Sequence, residues 1–110
     1  MKIDITDQQG VKVVRLSGDF DDLELLETAL DQASDDGVVR AVLDLEAVPH
    51  INSAALNTLV RITAQANTRG GGVGLINPTP FVAGVLEITR LNEFLRIYAT
   101  LDEAIEHIRV

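Results

Sequence analysis

Cysteine and tryptophan are absent from the 110 residues, and only three phenylalanines and one tyrosine occur. Without cysteine there are no disulfides, no thiolate nucleophiles and no cysteine-based metal sites. The aromatics, Phe20, Phe81, Phe94 and Tyr98, are too few for a platform on which nucleic-acid bases could stack. Basic residues are also scarce, nine Lys and Arg against 17 Asp and Glu, for a formal net charge of −8. A phosphate backbone or an anionic membrane surface needs a basic face, so neither is an expected partner. The first residues, MKIDITDQQG, lack the apolar core of a secretion signal, and no run approaches the ~18 apolar residues of a membrane span. The expectation is a soluble, cytoplasmic chain without direct membrane insertion.

Catalytic side chains are equally thin. His50 and His107 are the only histidines. His107 stands among charged residues and reads as a solvated side chain. His50 lies close to Ser53, but the GxSxG elbow of a serine hydrolase is missing and no third group is indicated to orient a base. The acidic residues Asp19, Asp21, Asp22, Asp35 and Asp36 fall at predicted helix ends, where they have local roles, so no metal site is expected. RGGGVG lacks the lysine and the strand-loop-helix order of a phosphate loop and reads as a helix stop. These absences predict neither enzyme activity nor a cofactor.

What is present is the material of one compact domain, residues 1–110, with 46% hydrophobic residues to fill its core. Lys2–Thr6 and Val11–Leu16 alternate apolar and polar residues across DQQG and read as a hairpin. Asp21–Ser34 follows helical spacing through Leu23, Leu26, Ala29, Leu30 and Ala33. Val38–Leu45 is a valine-rich apolar run suited to a buried central strand. A helix from about Ser53 to Thr68 follows, its inner face assigned to Leu56, Leu59, Val60 and Ala64 and its outer face to Asn57, Arg61 and Gln65. Val73–Ile76 reads as a strand. Pro80 opens a helix through Val82, Val85, Leu86 and Ile88 to about Arg90. Phe94–Tyr98 and Leu101–Ile108 read as the last strand and helix. The order β-β-α-β-α-β-α-β-α predicts an α/β fold: a mostly parallel sheet with an N-terminal hairpin and about four helices.

Three stretches carry a family resemblance across the whole chain. Leu16-Ser-Gly-Asp-Phe-Asp21 is similar to the "L-x-G-x-(L/F)-D" segment of STAS domains, and Val42-Leu-Asp-Leu-Glu-Ala-Val48 with Ile51-Asn-Ser53 resembles their central strand and its continuation. Asn77-Pro-Thr-Pro80, Val85-Leu-Glu-Ile-Thr89, Leu91 and Ile97-Tyr-Ala-Thr-Leu-Asp-Glu-Ala104 are similar to the family's C-terminal pattern. The resemblance implies a STAS-type fold and a non-catalytic, anti-sigma factor antagonist-like regulator of transcription. Such a protein binds an anti-sigma factor that is also a serine/threonine kinase, is phosphorylated by it, and is restored by a protein phosphatase.

The family's acceptor motif, D-S-(S/T)-G-L, stands here as Asn52-Ser53-Ala54-Ala55-Leu56. Ala54 occupies the usual acceptor position, which leaves Ser53 as the candidate phosphoacceptor. The surface expected to meet a partner comprises Asp21, Asn52, Ser53, Ala54, Ala55, Asn57 and Arg61. Asn52 and Ser53 are also both good helix caps, so a structural role for Ser53 stands beside the switch. With it stands a second function: a constitutive STAS accessory subunit of a lipid-transporting membrane ABC complex, or a scaffold, needing no phosphate. Phe81, following Pro80 at the next helix start, is either a core residue or a second partner contact, and the core is the assignment made here because most aromatics are buried.

Overall fold

The computed structural model describes residues 2–19, 23–33 and 37–109. Asp21, an expected partner contact, lies outside these residues, as do Phe20, Asp22, Ser34, Asp35 and Asp36. Five strands form one sheet in the order β1-β2-β3-β4-β5. Strands β1 (Lys2–Gln8) and β2 (Val11–Ser17) are the antiparallel hairpin. Gln9 and Gly10 turn it, with φ of 56° and 83°, the double left-handed step that matches the twist of the flanking strands. Asp7 and Lys12 face each other across the hairpin and form a 2.6 Å ion pair.

Strands β3 (Arg40–Ala47), β4 (Gly72–Ile76) and β5 (Arg96–Tyr98) add in parallel. Each parallel step requires a crossover, and right-handed crossovers taken in one direction put their helices on one face. Helices α1 (Leu23–Ala33), α2 (Ser53–Thr68) and α3 (Pro80–Ile88) accordingly share a core with Val14, Leu16, Leu43, Leu45 and Leu75. The opposite face is covered by α4 (Leu101–Ile108), whose Ala104, Ile105 and Ile108 pack on Val11, Val13, Val42 and Ile76. Burial on both faces explains why β3 reads as a continuous apolar run.

Three expectations need correction. The inner face of α2 is Ala55, Leu56, Thr58, Leu59, Ile62, Thr63 and Ala66, whereas Ala64 is exposed and Val60 half-buried. The burial stripe drifts around a helix of 3.6 residues per turn, and small or polar residues at 55, 58, 63 and 66 hid it. The last strand begins at Arg96 rather than Phe94. After α3, Arg90 takes a left-handed conformation (φ 60°) and Leu91–Glu93 form a single 3₁₀ turn. That turn carries the chain back to the sheet, with Leu95 buried and its N–H on the Leu91 carbonyl. Phe81, assigned to the core, is 51% exposed.

RGGGVG is a helix stop, as expected: Gly70 has φ 84° just beyond the α2 cap residue Arg69. Gly71 has a further reason to lack a side chain, because a β-carbon there would run into the carbonyl oxygen of Val39.

Candidate functional site

The carboxyl ends of the parallel strands lead into the N-termini of α2, α3 and α4, capped by Asn52, Thr79 and Thr100. The stretch between β3 and α2 is anchored at both ends. Val48 and Ile51 are buried, at 0% and 8% exposure, while Pro49 and His50 between them are exposed. This anchoring fixes where α2 begins.

Asn52 is the cap of α2. Its backbone is extended and its side-chain Oδ1 accepts the Ala55 N–H at 2.8 Å. Asn52 thus satisfies one of the unpaired donors that every helix start leaves. Ser53 follows as the first helical residue. It is exposed, and among the described residues nothing hydrogen-bonds its hydroxyl. Of the two candidate caps the structure uses Asn52, and the side chain of Ser53 has no capping role.

The electrostatics at this point are simple. The 16-residue helix presents the positive end of its dipole at Ser53, and no acidic residue lies in its first turn. An anion placed on Ser53 would meet unpaired N–H groups of the chain itself.

Around Ser53 the surface divides into three parts. Ser53, Asn57 and Arg61 stand at i, i+4 and i+8, so they form one exposed stripe along α2. Ala54 is exposed beside them. Ala55, expected on the contact surface, is fully buried and is removed from it, while Leu56 is buried as its place on the inner face predicts. Arg61 is not a free cation, because its guanidinium donates to Glu27 Oε2 of α1 at 2.8 Å.

A neighbouring contact was not anticipated. The hydroxyl of Thr79, the cap of α3, donates to the Val48 carbonyl at 3.0 Å and ties that helix start to the segment before α2. His50 and Phe81 then meet edge to face with ring centroids 5.1 Å apart. His50 is engaged with Phe81 and makes no hydrogen bond to Ser53, so the residues do not form a nucleophile-base pair. Phe81, Val85 and Ile88 recur at i, i+4 and i+7, and Ile88 is 84% exposed. The signal was in the sequence: Val82 and Leu86 at i and i+4 define the buried face of α3, which leaves Phe81 and Ile88 off it.

Near the carboxyl end of the central strand β3, Asp44 is buried at 4% exposure. Its Oδ1 accepts the Glu46 N–H (3.1 Å) and the Asn77 side-chain amide (3.3 Å), and Arg15 approaches Oδ2 at 3.5 Å. These bonds satisfy the carboxylate and link the ends of β3 and β4. Among the described residues no group of three or more His, Cys, Asp or Glu could hold a metal ion, and no helix is long and apolar enough to cross a membrane.

Residues 2–104 match the family model described as the STAS domain. A Thermotoga maritima protein named as an anti-sigma factor antagonist is 33% identical over 79 residues, 72% of this chain and 70% of that protein. Among solved structures, an anti-sigma factor antagonist from Mycobacterium paratuberculosis superposes with a TM-score of 0.77 at 29% identity, covering 99% of this chain and 94% of that one. The anti-sigma factor antagonist SpoIIAA in its unphosphorylated form gives a TM-score of 0.78 at 22% identity, covering 96% of this chain and 95% of that chain. The phosphorylated form of Bacillus SpoIIAA gives 0.72 at 21%, covering 96% and 98%. At these last identities the likeness is one of fold.

Proposed function

The chain belongs to the STAS domain family, and on that premise we propose that it is a non-catalytic, single-domain partner-switching regulator controlled through Ser53. Unphosphorylated, it binds an anti-sigma factor that is also a serine/threonine kinase, and so frees a sigma factor. The kinase transfers the γ-phosphoryl group of ATP to the Ser53 oxygen, with loss of the hydroxyl proton, and binding ends. A protein phosphatase reverses the step.

The observation that carries this reading is the separation of cap and hydroxyl. Asn52 holds the helix start, and the exposed Ser53 hydroxyl bonds nothing among the described residues, which leaves it available for modification. The fold tolerates the phosphate because α2 offers it N–H groups and a positive dipole end. A partner docked over the same point would not tolerate it. The phosphate brings nearly two negative charges that must be desolvated or set against the partner's own groups, at a cost of several kcal/mol. The contact surface in this reading is Asn52, Ser53, Ala54, Asn57 and Arg61, extended by His50, Phe81 and Ile88. Exposed aromatic and aliphatic anchors beside a polar rim are the usual composition of a binding site for protein. The chemical reading of Ser53 stands even though Ala54 occupies the usual acceptor position, since the two residues are neighbours on the same exposed turn.

The test is affinity capture from the native cells with wild-type chain, followed by identification of what is bound and mapping of phosphate on the bait. Recovery of a kinase of the anti-sigma factor class, together with phosphate on Ser53, supports the proposal. Recovery of membrane transporter subunits with an unmodified Ser53 overturns it in favour of the accessory-subunit reading.

A further inference from the structure

A polar concavity lies at the β5 edge of the sheet, on the far half of α2. It encloses about 290 Å³ and is lined by Thr63 and Asn67 of α2, Gly72 of β4, Arg96 and Tyr98 of β5, and His107 of α4. Ten residues of helix separate Ser53 from Thr63, about 15 Å, so this is a different site from the switch.

Its chemistry is one-sided. In a chain with 17 acidic residues, the cavity wall carries none. Arg96 has no carboxylate partner among the described residues. One of its N–H groups instead meets His107 Nε2 at 3.2 Å, and His107 Nδ1 lies 2.7 Å from the Tyr98 hydroxyl. A guanidinium can only donate, so Nε2 must accept and the neutral imidazole carries its proton on Nδ1. That proton goes to the Tyr98 oxygen, which leaves the phenolic O–H free to donate elsewhere. His107, expected to be merely solvated, thus orients two donors. Thr63 adds a hydroxyl that is buried without a partner among the described residues, and Asn67 an amide.

We propose that this cavity binds a small organic anion, a carboxylate or a phosphate ester on a compact apolar body. Arg96 and the Tyr98 hydroxyl grip the oxygens, and His107 acts as the positioning residue behind them. The apolar body lies against Phe94 and Ile108, which with Gly71 and Val73 make up the rest of the wall.

The test is an NMR titration of the full chain with benzoate and with phenyl phosphate, using benzamide as the uncharged control. The expected result is saturable shifts at the Gly71, Gly72 and Arg96 amides with at least one anion and not with benzamide. A preference between the two anions identifies the head group. R96Q is expected to weaken binding about tenfold or more, the loss of a charge-assisted pair, and R96K to restore part of it. Arg96 is exposed, so both variants should keep the wild-type spectrum elsewhere. Absence of saturation by either anion up to about 10 mM, equal shifts with benzamide, or wild-type affinity in R96Q would each overturn the proposal.

Discussion

Replacing Asn52 with alanine removes the cap of α2, and the structure sets the size of the effect. The Asn52 side chain accepts the Ala55 N–H at 2.8 Å, and Ala55 is fully buried, so water cannot readily replace the lost acceptor. Loss of a helix cap costs about 1 kcal/mol, and a buried donor left unpaired costs about 1–3 kcal/mol. Asn52→Ala is therefore expected to destabilise the protein by about 2 kcal/mol. For a chain of this length that corresponds to a fall in melting temperature of about 8 °C. Ser53→Ala removes a hydroxyl that bonds nothing among the described residues and introduces a better helix former, so its effect should stay within about 0.5 kcal/mol. Asn52→Asp keeps a capping oxygen at the positive end of the helix and should be neutral or slightly stabilising. Urea unfolding of the three variants at neutral pH decides the matter. A loss in Ser53→Ala as large as that in Asn52→Ala would make Ser53 a structural residue and remove the reasoning that frees it for signalling.

Other variants test the framework around the site. Gly71→Ala sets a β-carbon against the Val39 carbonyl, with Gly71 and Gly72 both held by backbone bonds at 2.8 and 2.9 Å; a loss of about 3 kcal/mol or more is expected in thermal melts. Asp44→Ala strands the Glu46 N–H and the Asn77 amide and should cost about 2 kcal/mol in urea unfolding, with Asp44→Asn recovering part. The exposed Asp7 carboxyl is held below its usual range by the Lys12 ammonium and then by the Gly10 N–H. A carboxyl lowered in the folded state adds stability above its unfolded pKa and loses it as pH falls below about 4. Asp7→Asn should therefore narrow the gap between urea midpoints measured at pH 7 and pH 3.

Much of this arrangement was legible in the residues, and the failures have physical causes. The α2 boundaries follow from Asn52 as a cap and from the Arg69–Gly72 stop, both local signals. The four helices and the mostly parallel sheet follow from the alternation of apolar periods after the hairpin. The buried face of α2 departs from the apolar pattern at Val60 and Ala64 because Thr58, Thr63 and Ala66 are core residues without a strong apolar signature. Residue type alone points Phe81 to the core, whereas the register of the buried Val82 and Leu86 turns it outward. The Thr79–Val48 and His50–Phe81 contacts join segments about thirty residues apart, and no local pattern announces such contacts. Ser53 could be singled out from sequence, but its release from capping required the geometry of Asn52.

The central claim is that charge on Ser53 decides partner binding. Its most direct test is the dissociation constant of the captured kinase for Ser53→Ala and Ser53→Asp, measured by calorimetry on the two folded variants. The account predicts that Ser53→Ala binds within about twofold of wild type and that Ser53→Asp binds about a hundredfold more weakly, the equivalent of about 2.8 kcal/mol. Equal affinity of the two variants would contradict it.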